Sequence, residues 1–169
     1  GIAPAEKTVS KGNTHDVTLF DKVVSVNLNG TFNLSSLSAL GMTTLPLLKE
    51  SNDRGIIINT ASIAANEGQV GQLAYSASKA GVSGMVLPMA RDLAEYGIRV
   101  MGIAPGIFLT PMVEGLPKDV QERLSASIPF PSRLGQPKEF AELVVQIIEN
   151  SMLNGEVIRL DGAIRLTPR

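Results

Sequence analysis

Three observations predict an α/β fold on a parallel sheet. Gly55-Ile-Ile-Ile-Asn-Thr60 and Ile98-Arg-Val-Met-Gly-Ile-Ala104 are short, nearly continuous apolar runs, the pattern of strands covered on both faces. A third, weaker run is Glu156-Val-Ile-Arg-Leu160. Segments with the helical period separate the three, and strands that alternate with helices pair in parallel. With 169 residues, 44% of them hydrophobic, the chain holds enough apolar material for one core, so residues 1–169 read as a single unit.

Composition also narrows the function. A net charge of −1 and a pI of about 5.9 give no basic footprint for a nucleic acid. Zero cysteines exclude disulfides and thiolate metal sites within this sequence. The lone His15 is too little for a metal cluster and reads as a solvated loop residue ahead of a helix, so no metal site is expected. No uninterrupted apolar run reaches the length of a membrane span.

The elements follow in order. After a polar loop from Glu6 to Val17, Thr18 with Asp21 three places on reads as a helix start. The helix runs towards Leu48, with Phe20, Val23, Val24, Leu28 and Phe32 as its apolar stripe. Asn27 falls within that stripe, where an amide must find hydrogen bonds. A turn holding Ser51, Asn52, Asp53 and Arg54 leads into the first strand. The loop from Ser62 to Leu73 opens a helix in which Gly81 and Gly84 favour close packing on a strand and Pro88 favours a kink. Gly97 stops it. After the second strand, the proline-rich stretch from Phe108 to Ser132, with a short helix over 119–127, reads as a lid or binding loop. Gln136-Pro-Lys-Glu139 starts the last helix, which ends near Asn150 and buries Phe140, Leu143, Val144, Ile147 and Ile148.

One constellation in this frame carries chemistry. Tyr75 and Lys79 are four apart in Gln72-Leu-Ala-Tyr-Ser-Ala-Ser-Lys-Ala-Gly81, hence on one face of a helix. A free phenol has a pKa near 10, and a fixed cation beside it favours the charged form, which makes it a usable acid or base at neutral pH. Ser62 lies thirteen residues upstream of Tyr75, just past the carboxyl end of the first strand, where open α/β sheets place their sites. Its hydroxyl suits a substrate oxygen that gains or loses a proton.

The serine, the tyrosine, the lysine and Pro105-Gly106 after the second strand resemble, in order and spacing, the short-chain dehydrogenase/reductase family, and the resemblance covers nearly the whole chain. Val26-Asn-Leu-Asn-Gly-Thr-Phe32 resembles the family's helix motif, whose first asparagine, Asn27, completes a catalytic tetrad with Ser62, Tyr75 and Lys79. The resemblance implies hydride transfer between NAD and a secondary alcohol or its ketone. Tyr75 would take the proton, Lys79 would assist it and bind the nicotinamide ribose, Ser62 would hold the substrate oxygen, and Asn27 would anchor a water beside Lys79. It also implies cofactor contacts from Pro105, Gly106, Ile107, Phe108 and Thr110, and a substrate pocket to which Gln69 and Gln72 contribute.

The segments Glu67 to Tyr75, Pro129 to Gly135 and Asn154 to Ala163 resemble the branch that acts on 3-hydroxyacyl-CoA and hydroxysteroid substrates, with a homotetramer and a mitochondrial setting as further expectations. Gly1-Ile-Ala3 is similar to the end of the family's fourth strand. The family's glycine-rich phosphate turn is not in the sequence, so the expected fold is the carboxyl-terminal part of a doubly wound, Rossmann-like domain, with about 90 residues preceding it. An NAD-retaining epimerase or dehydratase on the same scaffold stays open. So does a non-enzymatic scaffold role in a mitochondrial RNA-processing complex.

Overall fold

A computed structural model describes residues 1–49 and 52–168. The expected polar loop contains a two-residue hairpin, β1 (Val9–Ser10) and β2 (Asn13–Thr14). Lys11 and Gly12 turn it at φ 50° and 80°, both in the left-handed region that tight hairpins require.

The first helix, α1 (Val17–Val24), starts two residues before the predicted point. Asp16 is its cap and accepts from Thr18 N at 2.8 Å. The chain passes through a π turn (Ser25–Asn29) into α2 (Gly30–Thr43). This wide turn adds a residue and rotates α2 relative to α1, so the buried line runs through Val23, Asn27, Ser35 and Ala39. Phe32, expected in the stripe, is 50% exposed. The helix also stops short of Leu48, because Pro46 disfavours helical geometry at the residue before it. Ser51 of the expected turn lies outside the described residues.

Strand β3 (Gly55–Thr60) leads through a 3-10 turn (Ile63–Ala65) to α3 (Leu73–Asp92). Ala74, Ser78, Val82, Val86 and Ala90, at steps of four, form its buried edge. Gly81 provides close approach to the helix before it rather than to a strand: a Cβ there would lie 2.7 Å from Leu28 Cδ2. Gly84 faces open space, and α3 runs on past Pro88. Gly97, at φ 65°, ends the helical segment as expected.

The central strand, β4 (Ile98–Pro105), is buried from Ile98 to Ala104. It pairs in parallel with β3 on one side and with β5 (Val157–Leu160) on the other, giving the sheet order β3-β4-β5. The lid region forms two short helices where one was expected, α4 (Pro111–Glu114) and α5 (Lys118–Ala126). The last helix, α6 (Pro137–Glu149), is capped by Glu139, which accepts from Gln136 N at 2.7 Å. Its Ile147 is buried against Met101 and Ile103, while Ile148, expected inside, is 49% exposed.

Arg99 is the polar exception in β4. Buried, it donates to Asp53 Oδ2 at 2.9 Å and to the carbonyls of Ile147 and Ile148 at 2.9 and 2.8 Å. It thereby closes the carboxyl end of α6, where carbonyls lack helical partners.

Two further expectations meet the structure here. His15 is not solvated: its side chain is 10% exposed, stands edge-on to Phe20 and lies 3.5 Å from Glu6 Oε2. Among the described residues the edge of β3 away from β4 is unpaired and borders a groove of about 390 Å³ lined by α2, β3, Asn27 and Lys79. Among the described residues no helix is long and apolar enough to cross a membrane.

Candidate active site

The carboxyl ends of parallel strands leave peptide groups without ladder partners, and the candidate residues gather there. Ser62 follows β3 in extended geometry and is 9% exposed. Its Oγ accepts from Ala64 N at 3.1 Å, which caps the 3-10 turn and leaves the hydroxyl hydrogen to donate elsewhere. Tyr75 and Lys79 occupy the first two turns of α3, with the Lys79 ammonium 5.9 Å from the centre of the Tyr75 ring. Lys79 Nζ also donates to Thr60 O at 2.8 Å, tying the helix to the last residue of β3. Burial pushes the ammonium below its ordinary value, because desolvation penalises the charged form.

Asn27 is buried, as its place in the stripe demands, and both atoms of its amide are hydrogen-bonded. Oδ1 accepts from Ile2 N at 2.8 Å, while Nδ2 donates to Ile2 O at 2.8 Å and to Ser78 Oγ at 3.1 Å. Ser78 in turn donates to Tyr75 O at 2.7 Å. The side chain therefore ties the segment at Ile2 to the helix of Tyr75.

The expected substrate residues Gln69 and Gln72 are also engaged. Gln69 Nε2 donates to Thr167 O at 2.9 Å, and Gln72 Oε1 accepts from Gln69 N at 3.0 Å. These bonds fasten the loop from Ser62 to Leu73.

Pro105 ends β4, and Gly106 is required by close approach: a Cβ there would lie 2.9 Å from Asp161 Cα. Ile107 O accepts from Gly135 N at 2.9 Å, so this carbonyl is already bonded. Phe108 pairs with Gly135 and stacks edge-on against Phe140 at 6.3 Å. Thr110 precedes α4, and its hydroxyl makes no cap bond. The Phe108 peptide, the Thr110 hydroxyl and the half-buried Lys79 ammonium match the polar edge of a nicotinamide and its ribose in donor and acceptor chemistry.

Sequence reasoning missed a charged clamp on the loop. Arg159 donates to Glu67 Oε1 at 2.9 Å and to Asp161 Oδ2 at 2.6 Å, and Leu166 N donates to Glu67 Oε2 at 3.1 Å. Burial pushes the Glu67 carboxyl up, but the Arg159 hydrogen bond, the Leu166 N–H and the charges of Arg159 and Arg165 together hold it below its usual range. Ser78 was also missed, although its place three residues after Tyr75 puts it on the same helix face.

The family model described as short chain dehydrogenase matches residues 1–121. Over 170 aligned residues the chain is 59% identical to 3-hydroxyacyl-CoA dehydrogenase type-2 of Homo sapiens, covering 99% of this chain and 65% of that protein. The corresponding protein of Drosophila melanogaster is 53% identical over 99% of this chain and 66% of its own length. The crystal structure of 3-hydroxyacyl-CoA dehydrogenase type-2 from Mycobacterium avium superimposes with a TM-score of 0.96 at 44% identity, over all of this chain and 66% of that one. The chain thus spans about 65% of the length of the human relative. A shared family model, the sheet order and the serine, tyrosine and lysine at the strand ends lead to one conclusion: the chain belongs to the short-chain dehydrogenase family.

Proposed function

We propose that the protein is an NAD-dependent oxidoreductase that interconverts a secondary alcohol and its ketone, with a 3-hydroxyacyl-CoA as substrate. The observation that carries this reading is the placement of Lys79, held by Thr60 O and facing the Tyr75 ring at the carboxyl end of the sheet. The printed names of the human and fly relatives support the substrate class.

In this reading Tyr75 accepts the hydroxyl proton of the substrate and returns it in the reverse direction. Lys79 keeps a positive charge beside the phenol, and its burial strengthens that influence. Ser62 donates its remaining hydrogen to the substrate oxygen. Asn27 acts as a positioning residue through Ile2 and Ser78. When bound, NAD supplies the carbon that takes the hydride. Lys79, Thr110 and the peptide groups from Pro105 to Phe108 would hold its nicotinamide half. A homotetramer and a mitochondrial setting complete the proposal on the strength of the family resemblance.

The test is NAD reduction by the purified full-length natural protein with a series of 3-hydroxyacyl-CoA and hydroxysteroid substrates. Saturable turnover of at least one 3-hydroxyacyl-CoA is expected. A protein that reduces NAD with none of them contradicts the proposal.

A further inference from the structure

Gly68 and Ser76 meet where the loop from Ser62 to Leu73 crosses the first turn of α3. A Cβ on Gly68 would lie 2.1 Å from Ser76 Oγ and 3.0 Å from Ser76 Cβ. Room, not backbone conformation, is what excludes a side chain at this position. The Ser76 hydroxyl is buried without a hydrogen-bond partner, so its contribution here is to fill space. Its backbone amide donates to Gln72 O at 2.7 Å, which fixes Ser76 to the turn that carries Tyr75.

The loop is fastened on both sides of Gly68, so it does not move without cost. Glu67, next to Gly68, is held by Arg159 and by Leu166 N, and Gln69 is held by Thr167 O. Upstream, Ser62 is locked into the 3-10 turn by its bond to Ala64 N. The Ser76 hydroxyl can rotate away from an atom added at Gly68, but Ser76 Cβ at 3.0 Å cannot, and that contact has two outlets. It displaces the first turn of α3, or it lifts the loop whose other end carries Ser62. Either movement changes the separation of the Ser62 hydroxyl and the Tyr75 phenol.

We infer that Gly68 is a positioning residue whose bare backbone, seated on Ser76, sets the register of Ser62 against Tyr75. The inference rests on the catalytic roles proposed above for those two residues. A displacement of about 1 Å at reacting groups costs up to roughly a hundredfold in rate, so a partly relieved clash is expected to cost about tenfold.

The experiment compares Gly68→Ala, Ser76→Gly and the double variant in the full-length natural protein, with Tyr75→Phe as control. Ser76→Gly alone should stay within about twofold of wild type, since its hydroxyl bonds nothing. Gly68→Ala should lower kcat about tenfold with a smaller change in KM and a displaced pH profile of kcat/KM. Removing the Ser76 side chain as well takes away the 2.1 and 3.0 Å contacts, and most of the lost kcat and the original pH profile should return. Gly68→Ala with wild-type kcat, or a double variant no better than Gly68→Ala, overturns the inference even if Tyr75→Phe is inactive. A fully active Tyr75→Phe instead overturns the catalytic reading beneath it.

Discussion

At the residue scale the site depends on one cation held in a fixed place. Lys79 is pinned by Thr60 O at 2.8 Å, and its burial makes both its charge and its loss consequential. Lys79→Met keeps much of the stem but removes the charge. Residual activity should then have its pH optimum shifted upward, because the phenol loses its electrostatic support, and the KM for NAD should rise several-fold. An unchanged pH profile with unchanged KM for NAD would make Lys79 a surface partner of Tyr75 and nothing more. These two residues and Ser62 were legible in the sequence, because spacing on a helix and position after a strand are local properties. The engagement of Asn27, Gln69 and Gln72 was not. The partners of Asn27 and Gln69, at Ile2, Ser78 and Thr167, are distant in sequence, the Gln72 side chain bonds to the nearby Gln69 N, and an amide's chemistry suits a packing bond as well as a ligand.

At the element scale, two charged groups hold pieces that hydrophobic packing alone leaves loose. Arg99 in β4 joins Asp53 to the carboxyl end of α6. Arg99→Met should destabilise the fold by roughly 3–5 kcal/mol, because a buried carboxylate loses this cation and the helix carbonyls lose their donor. Urea unfolding checks this, and a loss below about 1 kcal/mol would contradict it. The Arg133 hydrogen bond beside Glu139, with the Gln136 N–H, pulls the Glu139 carboxyl from 4.5 to about 2, and Glu67 is also lowered. Both folded values lie below the unfolded ones. Their stabilising contribution is therefore present above pH 4.5 and is lost on acidification, for Glu139 as pH falls towards about 2. The stability gap between wild type and Glu67→Gln should accordingly shrink as the pH falls below the ordinary carboxylate range, and a gap independent of pH would refute the clamp. The apolar runs and the Gln136 to Glu139 cap made the strands and α6 readable. The π turn at Ser25–Asn29 did not announce itself, and it is why Phe32 left the stripe.

At the scale of the whole molecule, the open edge of β3 and the apolar residues Leu34, Leu37 and Leu40 of α2, each at least 67% exposed, leave much of one side uncovered. A polypeptide of residues 1–169 alone should therefore self-associate in size-exclusion light scattering. It should also show no saturable NAD binding by calorimetry, since the contacts proposed above reach only the nicotinamide half. A stable monomer, or stoichiometric micromolar binding, would contradict this. The parallel sheet that creates the site was readable from three apolar runs, whereas the β1–β2 hairpin was hidden by its two-residue strands. Whether the Tyr75 phenol carries the proton is decided by the turnover of full-length Tyr75→Phe with NAD and a 3-hydroxyacyl-CoA, beside its thermal unfolding. A kcat at least about a hundredfold below wild type with an unchanged midpoint is expected, and turnover near the wild-type rate would remove Tyr75 from the chemistry.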